Sequence, residues 1–170
     1  MDDSKPIIDA DFTTTKDNGR RGDGGTYLVV ANNSDEFKVA LSYGCFIARK
    51  KRAHVGILCI IENQDFQHWG AVEHRMMKEL RLEAEKYVWS VAKTAHDFNG
   101  TVPSLYFAAG DKCDQLIKII DENPNIVQLI LGGGSDHSNR GPLISYFLGK
   151  GLSRLRVPVV IVPQHLEEFS

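Results

Sequence analysis

Residues 26–61 read TYLVVANNSDEFKVALSYGCFIARKKRAHVGILCII, with two apolar runs on either side of a helical pattern. The runs at 26–31 and 54–61 show no polar alternation, which is typical of strands buried on both faces of a parallel sheet. Between them, Ser34 or Asn33 can cap a helix over about 35–52, which begins with acidic residues and ends with cationic ones. The stretch therefore predicts a strand, a crossover helix and a second, parallel strand.

The same alternation continues to the end of the chain. We predict further helices over about 70–98, 110–124 and 141–155, and further strands over 102–108, 125–131 and 157–162. Phe98 is placed on the apolar face of the long helix, and Gly149 and Gly151 are placed within the last one. Alternating strands and helices predict an α/β fold with an open five-stranded parallel sheet and helices on both faces.

Length and composition limit the class of protein. A chain of 170 residues with 42% hydrophobic and 25% charged residues suits one domain, which we place at 26–166. Residues 1–25 are polar and rich in glycine, so we expect a flexible N-terminal tail that adds little to stability. Within this tail, PIIDADF has enough apolar character to dock on the domain.

The net charge and the cysteine content limit the possible binding partners and the cellular compartment of the protein. The formal charge of −2 predicts no nucleic-acid partner, and no apolar run reaches the roughly 20 residues of a membrane span. The three cysteines, Cys45, Cys59 and Cys113, form no CxxC pair and read as reduced thiols of a cytosolic protein.

Three segments, taken in order, resemble the universal stress protein family. Residues 27–62 are similar to its opening strand, helix and second strand, residues 110–134 to its Gly-Asp helix and fourth strand, and 157–163 to its closing strand. DFQHW at 65–69 and GPLIS with GKG at 141–151 look like a bacterial subgroup. The resemblance implies strand order 3-2-1-4-5, a cytoplasmic location, a homodimer formed through the C-terminal strand, and an ATP or AMP site between strands one and four.

The glycine-rich segment departs from the pattern of ATP-binding members. These carry Gly-x-x-Gly, nine residues, and then Gly-Ser or Gly-Thr, so that backbone amides can approach the phosphates. Counting from Gly132, Gly133 and Gly134 places Ser135, Asp136 and His137 at the fourth position, so no offset succeeds. Asp136 also adds a negative charge that opposes an anion, although Arg140 could offset it.

A second departure lies at the end of strand one. Asn32 stands where ATP-binding members place Asp, and Asn33 stands in place of Gly; an Asn side chain can still hydrogen-bond an adenine edge. The resemblance gives a candidate nucleotide pocket, and its residues are Asn32, Asn33, Ile60, Gly132, Gly133, Gly134, Ser135 and Gly141.

The sequence signals for catalysis, for a metal site and for aromatic stacking on a ligand are weaker. Ser135, Asp136 and His137 are the residue types of a hydrolase triad, but three consecutive side chains diverge and the G-x-S-x-G elbow is absent. The histidines do not have metal-ligand spacing, so we predict no metal site. Phe66 and Trp69 could stack on a flat ligand with His68 beside it, or pack under the long helix.

Cys113 begins a helix next to Lys112, a setting that can lower the pKa of a thiol; a half-buried packing role is the alternative.

The resulting hypothesis is a non-catalytic cytoplasmic stress-response or regulatory module with no catalytic residues and no cofactor, which does not bind ATP tightly and acts with an unidentified regulatory protein. The alternative is a member that binds ATP or AMP with little or no hydrolysis.

Overall fold

A computed structural model describes residues 24–32, 34–62, 70–100, 102–134 and 141–166. Residues 1–23 of the expected N-terminal tail at 1–25, and the whole Asp65–Trp69 segment, lie outside the described residues. The same holds for Asn33 and Ser135, and for Asp136 to Arg140.

The described elements alternate along the chain as the sequence predicts. Their bounds are β1 (Thr26–Ala31), α1 (Asp35–Lys51), β2 (His54–Ile61), α2 (Gly70–Asn99), β3 (Ser104–Ala109), α3 (Lys112–Glu122), β4 (Ile126–Gly133), α4 (Pro142–Leu148), a 3₁₀ helix (Leu152–Arg154) and β5 (Val159–Pro163). All neighbouring strands pair in parallel in the order β3-β2-β1-β4-β5. The predicted fold and strand order are confirmed.

The sheet separates two apolar cores. Val29 and Ile57 point to one face and pack under α1 and α2, while Leu28 and Leu58 point to the other and pack under α3 and α4. All four side chains are fully buried. Burial on both faces explains why these strands lack polar alternation, since neither set of side chains meets water.

The start and end of α1 follow from its local sequence. Ser34 has extended backbone geometry, and its hydroxyl accepts a hydrogen bond from the backbone N–H of Phe37 at 3.3 Å. Of the two predicted caps, Ser34 and Asn33, Ser34 is the residue that caps the helix. The helix ends where Arg52 takes a left-handed conformation, with φ of 52°, and cations occupy the last turn.

The last helix is shorter than predicted. It ends at Leu148, so placing Gly149 and Gly151 within it was wrong. Gly151 leaves room for the ring of Tyr146, since a Cβ at position 151 would lie only 2.1 Å from its Cε1 atom. The space beside Gly151 is thus filled by the Tyr146 ring. The strand that follows also begins later than predicted, at Val159.

Phe98 was also misplaced. It is 52% exposed, and the buried face of α2 ends at Ala95. The last turn of the helix, residues 96–98, is exposed on all sides, so helical spacing alone does not bury a side chain there. Among the described helices, none is both long enough and apolar enough to cross a membrane.

Arg156 joins the end of α3 to the strand that follows it. Its guanidinium donates to the backbone oxygens of Ile120, Asn123 and Ile126. Ile120 and Asn123 lie at the end of α3, where helix carbonyl groups lack intrahelical partners. A cation placed there also interacts favourably with the negative end of the helix dipole.

We therefore expect Arg156→Ala to lower the free energy of unfolding by about 2 kcal/mol, since three hydrogen bonds from a charged donor are lost. Arg154→Ala is the matched control, because Arg154 lies nearby but is exposed and donates to Asp114 at the surface and to the hydroxyl of Tyr146. Urea unfolding measures both variants. An equal loss for the two would show that Arg156 does not cap α3.

Candidate functional site

Asn32, Ile60 and Gly132 to Gly134, which are candidate ligand residues, lie at or beside the carboxyl ends of their strands. Asn32 directly follows β1, Gly134 directly follows β4, and β1 and β4 are neighbours. Ile60 is the next-to-last residue of β2 and is partly buried against the core under α3 and α4. In open α/β sheets this edge is where ligands bind.

Two of the predicted loop glycines belong instead to the sheet. Gly132 and Gly133 are the last residues of β4 and pair with Val162 and Pro163 of β5. The backbone oxygen of Gly133 accepts a hydrogen bond from the N–H of Gln164 at 2.9 Å. The prediction that a loop begins at Gly132 is therefore wrong, because strand pairing continues for two residues beyond Leu131.

Packing of α1 accounts for the glycine at position 132. A Cβ at Gly132 would lie 2.3 Å from the backbone oxygen of Glu36, in the first turn of α1. A Cβ at Gly133 points to the other face and would lie 3.0 Å from Cγ2 of Ile161. Gly132 thus allows a helix backbone to lie directly against the strand, a role that needs no ligand.

Gly141 differs from these strand glycines. It precedes α4 with φ of 75°, and a Cβ there would meet nothing within 4 Å. The backbone conformation explains why a glycine stands at position 141, because residues with a side chain rarely adopt it. No neighbouring atom limits the space there.

Asn32 is exposed, but two of its polar groups already have partners. Its side-chain oxygen accepts a hydrogen bond from the hydroxyl of Ser34, the residue that caps α1. Its backbone oxygen accepts a hydrogen bond from the hydroxyl of Tyr87 on α2. The end of β1 is therefore held from both sides, by the cap of one helix and by a side chain of another.

Tyr87 was not predicted as a site residue. Tyr87 follows the helical spacing of the buried residues of α2, and its ring packs near Phe37, with centroids 6.3 Å apart. Burial, and secondarily Cys59, raise the pKa of the Tyr87 hydroxyl, so the group remains a hydrogen-bond donor at neutral pH. In the sequence, the only signal for such a hydrogen bond is a tyrosine at the edge of the apolar face of a helix.

An ion pair lies at another part of the carboxyl edge. The Nζ atom of Lys112, at the start of α3, lies 3.2 Å from Oε2 of Glu62, which follows β2. Burial, followed by Asp111 and Asp114, raises the pKa of the neighbouring Cys113 thiol, which disfavours the thiolate. The packing role for Cys113 is therefore favoured over the activated thiol.

The two remaining cysteines and the metal prediction concern other parts of the fold. Cys45 and Cys59 are buried as expected, and burial raises the pKa of Cys45 to about 12. Across the part of the chain that the structure describes, no group of three potential metal ligands comes together.

The sequence and the fold can be compared with known proteins. No family model matches the sequence, and no curated protein matches it. Among solved structures, the universal stress protein UspA from Lactobacillus plantarum matches with a TM-score of 0.64 and 17% identity, covering 85% of this chain and 99% of that one. The chain has the universal stress protein fold.

Two further structures extend this comparison. A universal stress protein family member from Burkholderia pseudomallei has a TM-score of 0.62 and 18% identity, with coverage of 82% of this chain and 96% of that one. A family protein from Arabidopsis thaliana, solved with AMP bound, has a TM-score of 0.58 and 12% identity, with coverage of 82% and 91%. The universal stress protein fold thus spans nearly all of the described chain.

The packing role of Gly132 predicts a large difference between two adjacent substitutions. Gly132→Ala should lower the free energy of unfolding by roughly 2–3 kcal/mol, because the new methyl group meets helix backbone that cannot move alone. Gly133→Ala adds the same methyl group on the other face, beside the end of a side chain, and should cost less than about 1 kcal/mol. Thermal and urea unfolding would compare the two, and equal losses would contradict the packing role.

Proposed function

We propose that this protein is a non-catalytic regulatory module of the universal stress protein type, which acts in the cytoplasm and does not hold ATP tightly. The observation that carries the proposal is the position of Gly132, where the first turn of α1 occupies the space beside the strand. The proposal rests on how the chain uses its glycines and on the polar groups at the end of β1.

The phosphate-binding function of a glycine loop needs free backbone amides next to the ligand. Gly132 and Gly133 lie in β4 and pair with β5, so they are part of the sheet. The Gly-x-x-Gly spacing also fails at every offset in the sequence. Both observations support a carboxyl edge that retains the shape of the fold without a triphosphate cradle.

The end of β1 supports the same proposal. Asn32 supplies an amide where ATP-binding members place a carboxylate, and its oxygen already accepts from Ser34. Its amide N–H groups remain donors, so a flat ligand with acceptor atoms is a better match than a group that must donate to a carboxylate.

We expect ATP to bind with a dissociation constant weaker than roughly 100 μM, which corresponds to a binding free energy of about −5.5 kcal/mol or weaker. Calorimetric titration with ATP and magnesium measures this constant, with adenosine titrated in parallel. Micromolar ATP binding would overturn the proposal, because it would show that the carboxyl edge holds a triphosphate although Gly132 and Gly133 pair with β5.

The second candidate function is binding of an adenine nucleotide with little or no hydrolysis. The Arabidopsis structure with AMP bound favours it, since the two chains share the fold. AMP carries one phosphate and so depends less on a loop that holds three. AMP binding in the micromolar range, together with its loss in Asn32→Ala, would favour this candidate over the first.

We also propose that the protein forms a homodimer through β5. This strand lies at one edge of the described sheet, paired on one side only with β4. Ile161, in its middle, is 37% exposed. An apolar edge strand is a template for pairing, and two copies of β5 would pair antiparallel about a two-fold axis.

Ile161→Lys should shift the protein toward the monomer, because a charge on each β5 meets its counterpart across the two-fold axis. Ile161 is a better position for this test than Val160, which packs against the core. Val102→Lys is the control, since Val102 is exposed just before β3 at the opposite edge of the sheet. Sedimentation measures the mass of each variant, and a wild-type protein that is monomeric at micromolar concentration would contradict the dimer.

A further inference from the structure

Four consecutive cations stand at the end of α1. We call this group the α1 basic end, and it consists of Arg49, Lys50, Lys51 and Arg52, all of which are exposed. None of the four makes an ion pair within 4.0 Å among the described residues. Residues 37–61 contain no aspartate or glutamate, so α1 itself offers these cations no carboxylate within three turns.

The cap of α1 does not use these side chains. The backbone N–H groups of Arg52 and Ala53 donate to the backbone oxygens of Arg49 and Ala48, so the helix end is closed by the main chain. At the end of α3, by contrast, the side chain of Arg156 donates to the backbone oxygens. The helix dipole favours positive charge at this position but does not require four cations in succession.

The exposed ring of Phe98 lies beside the α1 basic end. Tyr87 of α2 packs near Phe37 of α1, and Phe98 follows Tyr87 by eleven residues, or three turns, so it lies on the side of α2 that faces α1. Nearer the helix ends, the Sγ atom of Cys45 lies 3.9 Å from the backbone oxygen of Ala95. The two helices therefore end side by side.

Two further apolar side chains are exposed where the strands begin. Val102, just before β3, is 67% exposed, and Val127, the second residue of β4, is 39% exposed. A Cβ at Gly25 would lie 2.5 Å from Cγ1 of Val127, and a Cβ at Gly24 would lie 2.6 Å from the backbone oxygen of Lys51, so this short link lies between Val127 and the end of α1. This end of the molecule thus presents apolar side chains on either side of the cations.

Three carboxylates of the described chain lie at the same end but do not face the cations. Asp97 follows Ala95 by two residues, about 200° around α2, and so points away from the buried side of that helix. Asp121 and Glu122 end α3, which packs on the other face of the sheet. With helix diameters of about 10 Å, α1 and α3 lie roughly 20 Å apart, about twice the Debye length in 0.1 M salt. The side of this end that carries α1 is therefore positive.

Cations beside exposed apolar side chains are complementary to a surface that is negatively charged over an apolar layer. Clusters of four or more lysines and arginines on a helix are typical of proteins that bind anionic lipids, and neighbouring apolar side chains enter the headgroup region. Binding of a single nucleic-acid strand relies instead on several aromatic side chains that stack on successive bases. We propose that the α1 basic end, together with Phe98, Val102 and Val127, docks on the surface of an anionic lipid bilayer.

The expected contact is weak and reversible. Each cation close to an anionic bilayer strengthens binding roughly fivefold, so four cations predict half-binding at about 1 mM anionic lipid. Stable anchoring of a peripheral protein takes a second signal such as a lipid chain. The contact is independent of the proposed regulatory function and of any nucleotide, since Asn32 and Gly134 lie at the opposite ends of the strands.

Sedimentation of the full chain with lipid vesicles tests the proposal. One set of vesicles contains phosphatidylserine and phosphatidylcholine in equal parts, and the other contains phosphatidylcholine alone. We expect half of the protein to sediment with the first set at about 1 mM phosphatidylserine, and almost none with the second. Raising the ionic strength from about 0.1 M to about 1 M shortens the Debye length from roughly 10 to 3 Å and should release most of the bound protein.

Paired substitutions locate the binding surface. Arg49→Gln with Lys51→Gln should lower the partition coefficient roughly 30-fold, because two cations are lost from the α1 basic end. Lys78→Gln with Lys86→Gln is the matched control, since it removes the same charge from exposed positions of α2 at least 20 Å or so before its end, and should change the coefficient less than about twofold. Phe98→Ala should lower it about tenfold. Circular dichroism spectra should show that every variant is folded.

Several outcomes would overturn the proposal. No sedimentation at about 10 mM phosphatidylserine, tenfold above the expected midpoint, would show that this surface does not bind anionic lipid. Equal losses in the two paired variants would assign binding to net charge and not to the α1 basic end. Binding of polyuridylate that is lost in Arg49→Gln with Lys51→Gln, without vesicle binding, would assign the surface to nucleic acid instead.

Discussion

The close seating of α1 on the sheet is the constraint on which the rest of this structure depends. Two glycines allow it, one on each partner. On the helix, a Cβ at Gly44 would lie 2.9 Å from Cγ2 of Val29, and on the sheet, a Cβ at Gly132 would lie 2.3 Å from the backbone oxygen of Glu36. Because interiors are close-packed, a methyl group at either position would force the helix outward. This contact therefore fixes the position of the capped start of α1 and of the turn that follows β1.

Most of the fold could be predicted from the sequence, because burial on both faces leaves a strong pattern. Apolar runs without alternation marked β1 and β2, and helical spacing marked the buried face of α2. The errors fall at the ends of helices, where side-chain spacing does not fix the boundary. Phe98 follows the spacing but lies beyond the core, and the last helix ends at Leu148 although its predicted pattern continues to Leu155.

The site was predictable in its location but not in its details. The carboxyl ends of parallel strands share one edge, so Asn32 and Gly134 were expected to be close. The sequence could not show that Gly132 serves the packing of α1, since a packing glycine and a phosphate-binding glycine look alike. Nor could it show that Tyr87 holds the end of β1, because its hydroxyl finds Asn32 only once α2 is folded against the sheet.

A shared fold does not determine function, which depends on the groups placed at the site. Among the described residues of the carboxyl edge, Asn32, Gly132 and Gly133 make contacts within the structure itself, and this is why a regulatory module without tight ATP binding is the function we favour. The most direct measurement is the nucleotide released when freshly purified protein is denatured and the soluble fraction is separated by chromatography. The account predicts no adenine nucleotide in molar proportion to the protein. Release of about one ATP per chain would contradict it, because only tight binding survives purification.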